Sequence, residues 1–256
     1  MKEINLIVIE SLFCGILFYI DLMLNLNPTT NFYNDNLTLV RYALIIIMLI
    51  VVFFQMKKIQ IPKTDTQIIF NNPTYKVISA IFCIILILFS SINIFFSFNN
   101  LNATVGFLIA LGFLVGSLYF LKINSKNYII FFSGVIFIIS YILLILKEFA
   151  ISAYSIYYIE PCLKILCITI PLVFIVKLFN LTNTSATEKN VNKLIFYGVI
   201  TFFTTISIYL PMQVRIFFME GFYILILLEI IFVVNIAFYS ISVAYLLLQQ
   251  KSEGIV

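Results

Sequence analysis

The chain is written as eight strongly apolar runs, each about as long as a bilayer crossing requires, with Lys and Arg gathered at every second connection between them. A hydrocarbon layer of about 30 Å takes about 20 helical residues to cross. Within it the backbone has no water to bond, so a spanning run must satisfy its own N–H and C=O groups, as a helix does. A barrel strand would alternate apolar and polar residues over about ten positions, a pattern this sequence does not carry. Only 10% of the 256 residues are charged and 63% are hydrophobic, whereas soluble domains have about a quarter charged. The expected fold class is therefore all-α, a polytopic helical membrane bundle.

The expected spans are Leu6 to Leu26, Leu37 to Met56, Val77 to Ser97, Asn102 to Leu121, Tyr128 to Leu146, Ile156 to Phe179, Leu194 to Met212 and Phe222 to Leu248. The uncharged stretch from Val77 to Leu121 is too long for one crossing, and Phe98-Asn99-Asn100-Leu101-Asn102 supplies the polar turn that divides it. Cations are retained on the cytoplasmic side while acids contribute little to orientation. Lys57, Lys58, Lys63 and Lys76 follow the second span, Lys122 and Lys126 the fourth, and Lys177, Lys189 and Lys193 the sixth; Lys2 and Lys251 mark the ends. The first and third connections carry no cation, so both termini are expected in the cytoplasm, with an even number of crossings.

The first run resembles a signal peptide only in having Lys2 ahead of apolar residues. Glu10 and Asp21 interrupt it and no small-x-small cleavage pattern follows, so it reads as a retained span. Residues 1–256 are expected to form a single integral-membrane domain with no soluble domain, placed in the cell membrane. The lipid bilayer is the first partner this composition implies.

Several chemistries are excluded by residue content. The chain has no His, which removes a Ser-His-Asp relay, a His-bound haem and the H-E-x-x-H zinc site. Cys14, Cys83, Cys162 and Cys167 lie in apolar spans with no C-x-x-C spacing, and Cys162 and Cys167 are five apart on one helix, on different faces. They read as small buried hydrophobes and not as metal ligands. The eight glycines form no phosphate loop. No enzyme, no cofactor and no nucleic-acid partner are expected.

The positive signal is a set of ionisable residues inside the spans. A charge at the centre of a span costs roughly 2.5 to 3.5 kcal/mol on insertion scales, so such residues face a partner or a hydrated cavity. Glu160 and Lys164 are four apart on the sixth span and share a helix face. Lys164 lies about 12 Å below Ile156 and Glu229 about 10 Å below Phe222, so Lys164 can sit between Glu160 on its own helix and Glu229 on another. Asp21 and Arg41 form a second matched pair, each about 6 to 8 Å in from the outer end of its span. Glu10 shares a face with Asp21 but lies near the cytoplasmic surface, where it is expected to reach water. Lys147, Glu148, Arg215 and Glu220 are placed close above the outer charges, in the connections.

Two readings of Asp21, Arg41, Glu160, Lys164 and Glu229 stand at this level. They line a polar cleft open to the outside, or they are interhelical pairs that hold the bundle in register. Pro171 in the sixth span removes a backbone donor and is expected to kink that helix. Ala103, Gly106, Ala110 and Ser117 line one face of the fourth span, and Gly112 and Gly116 form a G-x-x-x-G on another, which marks this helix as closely packed and central. The expected function is a transport-type, permease-like protein whose outward-facing cleft takes a small charged or amphipathic solute. A sensor binding a small-molecule ligand and acting through a separate membrane or cytoplasmic protein is the second reading, and a lipid-modifying enzyme using Glu160 and Glu229 as acid and base is the third.

Reporter fusions after Asn34, Ser125 and Thr187 should read outside, inside and inside. An outside signal at Ser125 or Thr187 is incompatible with this topology.

Overall fold

The computed structural model describes residues 2–26, 38–58, 70–98, 104–123, 127–152, 159–183, 188–220 and 224–253. The polar turn at Asn99 to Asn102 lies outside them. The helices are α1 (Lys2–Asn25), α2 (Thr38–Lys58), α3 (Pro73–Phe98), α4 (Thr104–Leu121), α5 (Tyr128–Ser152), α6 (Ile159–Asn183), α7 (Glu188–Thr204), α8 (Leu210–Glu220) and α9 (Ile224–Glu253). A π-helical turn, Thr205–Tyr209, joins α7 to α8 without a break. Among the described residues seven helices are long and apolar enough to cross a membrane, which makes the chain a multi-pass membrane protein. α2 carries a shorter apolar stretch, Ala43–Lys57.

Local chemistry fixes where helices begin. Asn72 precedes Pro73, and its side-chain oxygen accepts from the Thr74 amide at 2.9 Å, while Pro73 occupies the first helical position, where an N–H would be unused. Asn127 does the same for α5, accepting from the Ile129 amide at 3.0 Å.

The bundle is built around α7–α8, not around α4. Of the most apolar stretch of the α7–α8 segment 78% is buried inside the protein, against 44% for α4 and 22% for α1. α7 packs against α9, α6 and α1, while α4 lies between α3 and α5. The small residues of α4 do set close packing, since a Cβ at Gly112 would collide with Ser140 and one at Gly116 with Phe137, both on α5. Small residues let two backbones approach but do not choose how many neighbours surround a helix, so the expectation of a central α4 is corrected.

α3 and α9 run antiparallel and meet through rings at seven-residue spacing. Phe82 stacks on Tyr239 at 4.5 Å and Phe89 on Phe232 at 4.3 Å. The Tyr75 and Tyr239 hydroxyls meet at 2.7 Å, so the polar ends of these buried rings satisfy each other. Phe113 and Phe137 extend the aromatic layer into α4 and α5.

The wide turn lies just ahead of a proline. In its register Leu210 N–H donates to the Thr205 carbonyl, five residues back. The next carbonyl, of Ile206, falls to residue 211, which is proline and has no N–H to give. That carbonyl lies instead against α1, where Gly15 leaves room for it; a Cβ at Gly15 would sit 2.6 Å from the Ile206 oxygen. One residue on, Ser207 Oγ donates to the Ser11 carbonyl at 3.2 Å. α1 thus presents a stripe of Ile4, Ile7, Ser11, Gly15 and Leu22 to the bundle, and its opposite side, including Leu12, Phe13 and Ile16, is exposed and apolar, as a lipid-facing surface requires.

Gly15→Val should destabilise the protein by about 1 to 3 kcal/mol, because the obstructing atoms belong to backbone. Ile16→Val on the exposed side should change stability by less than about 0.5 kcal/mol. Thermal unfolding of the purified protein in one detergent compares them; equal losses would mean that α1 does not dock through Gly15.

Candidate functional site

Charges gather at the helix ends that the sequence assigns to the outside. Counting 1.5 Å per residue from those ends, Asp21, Arg41, Glu148, Lys164, Arg215 and Glu229 all lie about 4 to 8 Å in. They form separate groups on different helices.

The first group joins α1 to α2. Arg41 donates from Nε to Asp21 Oδ2 at 2.6 Å and from Nη2 to Oδ1 at 2.9 Å, a two-pronged pairing that fixes orientation as well as charge. Asn25, one turn along, donates to Asp21 Oδ1 at 2.7 Å. Toward the other end of the same two helices, Gln55 Nε2 lies 2.9 Å from both oxygens of Glu10. The expectation that Glu10 simply reaches water is corrected, because an amide donor on the neighbouring helix meets it at the same level. Two polar contacts therefore pin α2 along α1.

The second group is built from three helices and the wide turn. Lys164 on α6 places Nζ 2.9 Å from Glu148 Oε2 on α5 and 3.0 Å from Glu229 Oε1 on α9. Tyr209, the last residue of the π turn and fully buried, donates to Glu229 Oε1 at 2.9 Å. Lys164, Glu148 and Glu229 are largely but not wholly buried, with 22%, 13% and 29% of each side chain exposed. Two carboxylates and one ammonium leave one negative charge in excess if all are ionised.

Of the residues singled out from sequence, Asp21 with Arg41 and Lys164 with Glu229 are brought together, but the two pairs belong to different groups. Glu160 lies in the first turn of α6 and its side chain is outside the described residues. Pro171 is buried within α6, which runs on past it, and its missing N–H leaves the Cys167 carbonyl without its usual donor.

Glu148 and Arg215 correct the placement of both residues in connections. α5 and α8 continue past the last apolar residues, and both side chains are helical. Arg215 is 2% exposed and reaches back with Nη2 to the Leu26 carbonyl, 3.4 Å away, at the end of α1, where a cation complements free carbonyls. A signal for Glu148 was present: it lies seven residues after Tyr141 and eleven after Phe137, so it extends the buried face of α5. The signal for Tyr209 was Pro211, a proline inside an apolar run with no polar break to end the helix.

No protein-family model matches the chain, and no curated protein or solved structure matches it either.

Lys164→Met should destabilise the protein by about 2 kcal/mol. That lies between the roughly 0.6 kcal/mol typical of a membrane polar contact and the 3 to 5 kcal/mol of a broken buried pair. Adding Glu229→Gln should recover part of the loss, because it removes one of the stranded carboxylates. Chemical unfolding of the single and double variants in one detergent measures the coupling, and simple additivity would refute it.

Proposed function

We propose that this is a transport-type membrane protein whose substrate site is the Glu148–Lys164–Glu229 cluster, open to the outside of the cell membrane. The reading takes the chain as eight crossings, α2 included and α7–α8 counted as one, with both termini in the cytoplasm. The observation that supports it is Lys164 held at 2.9 and 3.0 Å by acids from two other helices, at a depth where an isolated charge is costly. A pin between two helices needs one acid and one base. Here four helical segments contribute, a surplus charge remains, and the side chains keep partial exposure.

The surroundings suit movement. α6 carries Lys164 and, two turns further in, Pro171, while Tyr209 belongs to a π turn, a feature common at functional sites. Rearrangement of either segment moves a ligand of the cluster without breaking an intact run of helical hydrogen bonds. The Asp21–Arg41 pair has a simpler role, holding α2 against α1.

In a background with all four cysteines replaced, Glu160→Cys and Glu229→Cys should each react with a membrane-impermeant thiol reagent added to whole cells from outside. If neither reacts in folded protein, the charges are sealed pairs and the transport reading fails.

A further inference from the structure

Inward of the carboxylate cluster the bundle holds buried hydroxyls that have no hydrogen-bond partner among the described residues. Tyr141 is fully buried, its ring 6.3 Å from that of Phe232, one turn inward from Glu229, and its hydroxyl has no partner. Tyr141 lies two turns inward of Glu148 on the same helix. Thr205 and Thr201 follow Tyr209 inward at four-residue steps, both fully buried, and each Oγ1 is also without a partner. They share the side of α7 on which Gly198 meets Ser240 of α9 and Phe174 of α6. Ile206 and Ser207 take the other side, toward α1. Buried polar atoms in native proteins are nearly always bonded to something, so these three hydroxyls, inward of the charged cluster along their own helices, mark places for a ligand or water.

The chemistry selects the ligand. Carboxylates only accept hydrogen bonds, and the cluster has one more of them than it has ammonium groups, so an anion is repelled and a cation is drawn in. The spacing already fits one kind of cation, because Lys164 Nζ reaches both acids at the distances of charge-assisted N–H···O bonds. The Tyr209 hydroxyl is committed to Glu229, and the Tyr141 and Thr205 hydroxyls further inward along their helices keep unused acceptor capacity.

We propose that Glu148 and Glu229 recognise a small protonated amine, with Lys164 as a tethered ammonium that occupies the carboxylate pair when no substrate is present and yields one acid to the incoming amine. The inference rests on the transport reading and names its substrate class. In the loaded state each carboxylate faces one ammonium, and the excess negative charge is gone.

The test uses the purified full-length protein in detergent, with methylammonium as the probe and sodium and tetramethylammonium at equal ionic strength as controls. Sodium carries charge without N–H groups, and tetramethylammonium adds alkyl bulk. Methylammonium should raise the unfolding temperature saturably and the controls should not. Glu148→Gln and Glu229→Gln should each weaken the apparent affinity by about tenfold or more, the effect of losing one charged hydrogen bond. Tyr141→Phe, which keeps the ring and the fold, should weaken it several-fold. Lys164→Ala should bind methylammonium more tightly than the wild type and regain stability with it, because the tethered competitor is gone.

Equal shifts with sodium or tetramethylammonium would overturn the amine assignment, as would a response confined to Lys164→Ala. The two proposals fail separately. If Glu229→Cys is reached from outside but wild type ignores methylammonium, the amine inference falls and the transport reading stands. If positions 160 and 229 are sealed, the transport reading falls even where methylammonium binds in detergent.

Discussion

The π turn just ahead of Pro211 is where α1 and the Glu229 carboxylate of α9 both meet the α7–α8 segment. In the lipid interior a backbone carbonyl without a donor is costly. The chain widens by one residue over Thr205–Tyr209, and the Ile206 carbonyl that proline cannot serve is laid against Gly15 of α1. Two consequences follow from the same turn. α1 gains a docking place, reinforced by Ser207 on the Ser11 carbonyl, and Tyr209 brings its hydroxyl to Glu229. A regular helix through this region would rotate the residues after Thr205 relative to those before it, and the fit to α1 and to α9 could not both be kept.

The cost of charge in hydrocarbon orders the rest of the polar structure. Asp21 meets Arg41, Glu10 meets Gln55, Arg215 meets the end of α1, and Lys164 meets two acids. The first three contacts close locally between two partners, and each ties one helix to another. The Lys164 cluster differs because three helices and the wide turn converge on it, with two acids on one lysine. This convergence of segments, rather than the presence of charge, distinguishes the cluster as a candidate site.

Much of the architecture was legible one helix at a time. Span length follows from bilayer thickness, and the apolar runs between Pro73 and Glu253 became helices of the expected kind. The pairings of Asp21 with Arg41 and of Lys164 with Glu229 were readable because matched depth on antiparallel helices is a property of counting residues. What counting could not supply was rotation. Glu148 was placed in a connection because the apolar residues of α5 end before the helix does, and Lys164 could not be assigned between Glu160 and Glu148 without knowing which way α5 faces. α4 was expected at the centre because its small residues allow close approach, but α7–α8 holds that place.

The sequence by itself determined the class of the protein, the approximate position of the long apolar helices and the matched depths of Asp21 with Arg41 and of Lys164 with Glu229. These depend on transfer between water and hydrocarbon, which acts on each segment independently of the others. Tertiary structure alone decided which helix lies inside, that the acids of α5 and α9 close on one lysine, and that the residue ending the π turn, Tyr209, reaches Glu229. Those depend on rotation and packing between helices, where lipid and protein are nearly equivalent surroundings for an apolar side chain. Hydrophobicity gives little guidance there, and shape with a few polar contacts makes the choice.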